Sequence, residues 1–151
     1  QLWSRFERAA RALSTAATPL WESVPLHRVH GDCHSGNLLW QPSGPVFLDF
    51  DDLMMAPAVQ DLWMVIRGRD TEAQQQRATI LEGYQQIRTF DFRSLRMIEA
   101  LRGLRMVHYA GWVARRYADP IFQRTFPDFP SYAHWAYETA TIEEQVGLLQ
   151  A

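Results

Sequence analysis

Lysine is absent from this chain: all 15 basic side chains are arginines. The eight glycines are scattered, and neither G-x-G-x-x-G nor G-x-x-x-x-G-K-[ST] occurs. These 151 residues therefore contain neither of the glycine-rich loops that commonly cradle nucleotide phosphates, nor an ammonium group to pair with them. A single cysteine, Cys33, excludes an internal disulfide framework and fits a reducing compartment, so the expected location is the cytoplasm. No apolar run approaches the roughly 18–20 residues of a membrane span. Net charge is −2, and the arginines are dispersed among acids, which removes the electrostatic reason to expect a nucleic-acid partner.

What is present describes one domain over residues 1–151, with 47% hydrophobic residues and six tryptophans for an aromatic-rich interior. Leu2, Phe6, Ala9, Ala10 and Leu13 recur at helical spacing with Arg5, Glu7, Arg8 and Arg11 between them, predicting a helix from Leu2 to about Ala17 that Thr18-Pro19 stops. Leu26 to His30 is a short extended run, and Gly31 and Gly36 make 31–37 a loop. Leu38-Leu39-Trp40 and Val46-Phe47-Leu48 predict a β-hairpin across a Pro42-Ser43-Gly44-Pro45 turn. Beyond Ala58 the chain reads as helices: Val59 to about Arg67, Glu72 to Arg88, Ser94 to Tyr117 and Tyr132 to Leu149, with breaks at Asp91 and Asp119-Pro120. The fold class is thus α+β, mostly α.

Within this frame the run His30-Gly31-Asp32-Cys33-His34-Ser35-Gly36-Asn37, followed by Val46-Phe47-Leu48-Asp49, carries the chemistry. An Asp, an Asn five residues on and a second Asp beyond are what phosphoryl transfer needs. One carboxylate, Asp32, accepts the proton of the attacking hydroxyl; Asn37 and Asp49 offer oxygen ligands to Mg²⁺ on the nucleotide phosphates. The hairpin brings Asn37, at the entry of one strand, to the same end as Asp49, at the exit of the other. Asp51 shares the face of Asp49 if the strand continues, and Asp52 reads as solvated.

HGDCHSGNLLW, FLDFDD and PAVQDLWM together resemble the C-terminal lobe of the aminoglycoside phosphotransferase-like kinases, and the likeness extends over about residues 26–150. The resemblance implies a protein-kinase-like C-lobe in which a short β-hairpin, packed on a helical bundle, bears the catalytic loop and metal site. It implies Asp32 as catalytic base, Asn37 and Asp49 as Mg²⁺ ligands, ATP as co-substrate, and a hydroxyl acceptor, Ser/Thr of proteins ahead of a small alcohol. It also implies structural support from His30, packed beneath the loop, and from Asp61, a buried acid bracing the loop backbone. The lysine and glycine-rich loop would then belong to an N-terminal lobe outside this sequence, and the fragment alone is expected to be inactive. Ala56 departs from the family pattern, which has Gly before Pro57; a positive φ there would strain the turn by about 1 kcal/mol.

Each residue also has a plainer reading. Asp32 can cap a turn, Gly36-Asn37 is a common turn pair, and Asp49 can be an exposed loop acid. His34 either meets substrate or shapes the loop. Cys33, beside a carboxylate, is not expected to be a nucleophile. Arg115-Arg116 reads as a solvated helix end. Two other functions compete. His30, Asp32, His34 and Asp49 would form the ligand set of a metal-dependent hydrolase, or the chain would be a non-catalytic binding module.

Overall fold

The computed structural model describes residues 1–150. Helices α1 (Leu2–Ala17), α2 (Val59–Val65), α3 (Thr71–Gln85), α4 (Ile98–Arg116), α5 (Pro120–Thr125) and α6 (Tyr132–Gln150) make up most of the chain. Strands β1 (His27–Val29), β2 (Leu38–Gln41), β3 (Gly44–Phe47) and β4 (Met54–Ala56) form two small antiparallel pairs, so the class is α+β and mostly α. The described chain gathers into two compact units, one of residues 1–22 with 99–150 and one of residues 23–98.

The first unit is helical. In α1 the apolar positions fall on one stripe, and Phe6, Ala9, Leu13 and Ala17 are buried while the arginines between them stay in water. Phe6, Ala9 and Leu13 join Ala110 of α4 and Ile142 of α6 in one core, with Trp135 and Val146 packed against it. Gly103 of α4 lets the helices approach closely. A Cβ there would lie 2.8 Å from Leu13 Cδ1 and 3.3 Å from Gln145 Cβ. Trp135 meets Phe6 edge-on at 5.0 Å between ring centroids and Phe129 at 5.1 Å. Asp119 caps α5 by accepting the Ile121 N–H, with Pro120 at the first helical position. The Asp-Pro pair thus lies at the expected break, between the end of α4 and the start of α5.

The second unit holds all four strands. β2 and β3 pair with Leu38 opposite Phe47 and Gln41 opposite Gly44, so the turn is Pro42-Ser43, two residues shorter than the sequence suggests, and Pro45 lies within β3. β1 pairs with β4, His27 opposite Ala56 and Val29 opposite Met54, a pairing the sequence does not announce. Ala56 is buried in this strand and is not among the residues of positive φ, so the strain considered for it does not arise. α2 and α3 end at Val65 and Gln85, short of the expected limits; Asp70 caps α3 by accepting the Ala73 N–H. The helix expected from Ser94 begins as a 3-10 turn over Phe92–Met97 and becomes α4 only at Ile98.

Candidate active site

Gly31 opens the loop. Its φ is +86°, and a Cβ built on it would meet the Asp52 carbonyl oxygen at 2.1 Å, so both backbone conformation and space require glycine. Asp61, in the first turn of α2, holds this residue from one side: its Oδ2 accepts the His30 N–H at 2.8 Å and its Oδ1 the Gly31 N–H at 2.9 Å. A carboxylate taking two backbone donors makes charge-assisted bonds, roughly twice as strong as neutral ones. Gln60, one residue earlier, holds the other side by donating its Nε2–H to the Gly31 carbonyl at 3.0 Å. Sequence reasoning missed Gln60 as a supporting residue; its place directly before Asp61 on a helix facing the loop is the signal that was available.

His30 is buried at 6% exposure and uses both ring nitrogens. Nδ1 accepts the Asp32 N–H at 3.3 Å, which leaves the ring proton on Nε2 to be donated to the Leu48 carbonyl at 2.8 Å. The ring also packs on Phe50, with centroids 4.7 Å apart. Asn37 bridges the same two segments. Its Nδ2–H is donated to the Asp32 carbonyl at 3.0 Å, and its own carbonyl accepts the Leu48 N–H at 2.9 Å. Leu48 is thus pinned by His30 and Asn37 together, immediately before Asp49.

Asp49 has φ +60°, in the left-handed region that Asp visits more readily than most residues but still uncommonly. β3 has ended at Phe47, so the strand continuation that would align Asp51 with Asp49 does not exist; Asp49, Asp51 and Asp52 are all exposed. Asn37 and Asp49 both stand at the open end of the β2–β3 hairpin, where Asn37 faces Leu48, the residue before Asp49. Their donor set, an amide oxygen and a carboxylate, suits Mg²⁺, which is usually bound by one or two protein oxygens together with phosphates and water. With the amide nitrogen committed to Asp32, the oxygen is the end of the Asn37 side chain left for a cation. The chemistry of the two residues fits the ion.

The hydrolase ligand set is not assembled. Both nitrogens of His30 are engaged by the backbone, and Nδ1 of His34 accepts the Gly36 N–H at 3.0 Å. Among the described residues no three His, Cys, Asp or Glu side chains come together as a metal-binding group. Cys33 is buried, and burial, followed by the charges of Asp61 and Asp32, pushes its thiol up to about 11. It therefore stays a protonated thiol at neutral pH rather than a nucleophile. Arg115 and Arg116 end α4 in the helical unit, where the Arg116 guanidinium lies 4.7 Å from the Trp112 ring centre.

The model of a phosphotransferase enzyme family matches residues 1–98, a span that includes every one of these loop residues. The chain belongs to that family. Stress response kinase A of Escherichia coli K12 is 43% identical over 150 residues, covering 99% of this chain and 45% of the relative. The Shigella flexneri protein of that name is 41% identical over the same length. Serine/threonine protein kinase RdoA of Salmonella typhimurium LT2 is 41% identical over 145 residues, 95% of this chain and 44% of the relative. The chain thus spans less than half the length of these curated relatives. No helix among the described residues is long and apolar enough to cross a membrane.

Proposed function

We propose that these residues form the catalytic C-terminal lobe of an ATP- and Mg²⁺-dependent kinase that transfers the γ-phosphate to a hydroxyl, Ser/Thr of proteins being the preferred acceptor. The observation that carries this reading is the backbone lattice around Asp32. Asp61 and Gln60 tie the loop to α2, and His30 and Asn37 tie it to Leu48, next to Asp49, which holds the backbone carrying three oxygen-bearing side chains. Most of the catalytic gain in phosphoryl transfer comes from such positioning and from charge stabilisation.

In this reading Asp32 orients the acceptor hydroxyl and takes its proton as the oxygen attacks the γ-phosphorus and the bond to the β-phosphate oxygen breaks. Asn37 and Asp49 would hold the metal, which when bound offsets the charge of the phosphates. His30 and Asp61 keep the loop backbone in place and do not touch the reactants. The phosphate-gripping lysine and glycine-rich loop come from a part of the protein outside these residues. In support, Leu39, Trp40, Phe47, Phe50 and Met55 expose their side chains around the hairpin and loop, an apolar surface suited to being covered. The name of one relative, serine/threonine protein kinase RdoA, supports a protein acceptor; a small alcohol such as an amino-alcohol or aminoglycoside is the competing one, since one scaffold can serve both. A reducing, cytoplasmic setting agrees with the lone buried thiol.

The test is transfer of label from γ-labelled ATP, with Mg²⁺, to a generic protein substrate. It compares the natural full-length reading frame, the 151-residue chain and full-length Asp32→Ala. Incorporation by the full-length protein only, lowered about a thousandfold in Asp32→Ala, is expected. Sustained Asp32-dependent transfer by the 151-residue chain would show that no further phosphate-binding part is needed. Label on small alcohols but never on protein would reassign the acceptor, and no transfer to either would favour a binding module.

A further inference from the structure

His34 presents its two ring nitrogens to different parts of the loop. Nδ1 accepts the Gly36 N–H at 3.0 Å, capping the 3-10 turn Ser35–Asn37. A backbone N–H can only donate, so Nδ1 carries no proton, and in the neutral ring the proton sits on Nε2. Nε2 lies 3.5 Å from Asp32 Oδ2. The backbone of His34 joins the same loop. The His34 N–H is donated to the Asp32 carbonyl at 2.8 Å, and the His34 carbonyl accepts the Asn37 N–H at 2.9 Å. One residue is therefore tied by its backbone to both Asp32 and Asn37 while its ring proton faces the Asp32 carboxylate.

We propose that His34 is a positioning residue: its Nε2–H holds the Asp32 carboxylate in the orientation from which it meets the acceptor hydroxyl. The proposal rests on the reading of Asp32 as catalytic base. At 3.5 Å the contact is longer than a full hydrogen bond, and catalytic hydrogen bonds commonly tighten once substrate is in place. A neutral donor suits the task, because it fixes the plane of the carboxylate without the fixed positive charge of an arginine, which would weaken Asp32 as a base. The competing role is purely local, with the ring serving the turn through Nδ1 and the approach to Asp32 incidental.

Two substitutions separate these roles, because each reproduces one end of the imidazole. Asn places a side-chain oxygen about where Nδ1 sits and can still accept the Gly36 N–H; Gln extends an N–H toward the position of Nε2. In the natural full-length protein, His34→Ala and His34→Asn are expected to lower kcat about tenfold or more. KM for ATP should stay within about twofold, and His34→Gln should recover most of the rate. Recovery by Asn and not by Gln, or wild-type kcat in all three variants, would overturn the proposal. A readout independent of turnover is the ¹⁵N spectrum of the ring. The Nε2-protonated tautomer is expected, with an Nε2 resonance that moves in Asp32→Ala while Nδ1 keeps its acceptor character. An Nδ1-protonated ring, or an Nε2 resonance indifferent to Asp32→Ala, would overturn it even in a protein for which no acceptor has been found. Absence of transfer by the wild type strikes the kinase reading alone, because the spectrum still decides whether His34 holds Asp32.

Discussion

The helical unit and the strand-bearing unit are built on different interactions. In the helical unit the core is mainly apolar, with Leu13 and Ile142 fully enclosed beside Phe6, Ala9 and Ala110, and buried Thr139 gives its hydroxyl proton to the Trp135 carbonyl of its own helix. Its longest-range polar bond, from Arg5 to Glu143 at 2.6 Å, lies on the surface. In residues 23–98 buried His30 and the partly buried Asp61 and Gln60 are aimed at the backbone of one loop: a carboxylate on two N–H groups, a carboxamide on a carbonyl, an imidazole between a donor and an acceptor. Apolar packing is non-directional and tolerates small shifts, whereas hydrogen bonds to backbone groups fix positions to fractions of an ångström. The unit with the candidate site is the one that spends its polar groups on geometry.

The contrast predicts where substitutions should register. Leu13→Ala should have the largest effect on stability, about 3–4 kcal/mol, because it removes a fully buried side chain against Gly103 and leaves a cavity. Its unfolding midpoint in urea should fall while the ¹⁵N resonances of His30 and His34 keep their native positions. Asp61→Ala should cost about 3 kcal/mol by stranding two backbone donors, and here the ring resonances of His30 should move as well. An unchanged His30 spectrum in Asp61→Ala would erase the distinction between the two units. Gln60→Ala removes the bond to the Gly31 carbonyl and a weak one to the Met64 sulfur and should cost about 1 kcal/mol, with a drop in label transfer larger than the drop in stability suggests.

The smallest effect belongs to the Arg5–Glu143 pair. The hydrogen bond from Arg5 and its charge hold the Glu143 carboxyl below the ordinary value of 4.5. A carboxyl depressed in the folded state adds stability above its unfolded value and loses it as pH falls through the folded one. Glu143→Gln should therefore lower the unfolding midpoint slightly at neutral pH, and the difference from wild type should vanish on acidification below the carboxyl range.

How much of this was legible in the sequence follows the same division. Asp32, Asn37 and Asp49 stand out because their chemistry needs particular residue types at particular separations, whereas His30 and Asp61 were reached through the family resemblance; the structure places all five in one unit. The hairpin was readable from two apolar runs around a proline-glycine turn, and the helices from their apolar stripes. β4 was not readable: Met54-Met55-Ala56 has no alternation, and the strand exists only because β1 offers an edge to pair with. Nor was the left-handed conformation of Asp49, since nothing in Leu48-Asp49-Phe50 demands it; the pins on Leu48 from His30 and Asn37 accompany it. The division between the units was hidden because it falls beside Ile98, at the start of a continuous helix.

The backbone at Asp49 also bears on how this protein can change. Glycine would occupy φ +60° without the steric penalty that any side chain meets there, a relief of about 1 kcal/mol. On stability alone Asp49→Gly is an improvement; under the proposed reading it removes a metal ligand and with it the reaction. Selection for folding and selection for phosphoryl transfer therefore pull this one position in opposite directions. A lineage that keeps Asp here in spite of the cheaper alternative is being held by its chemistry, while one released from that chemistry has a downhill step open to it at once.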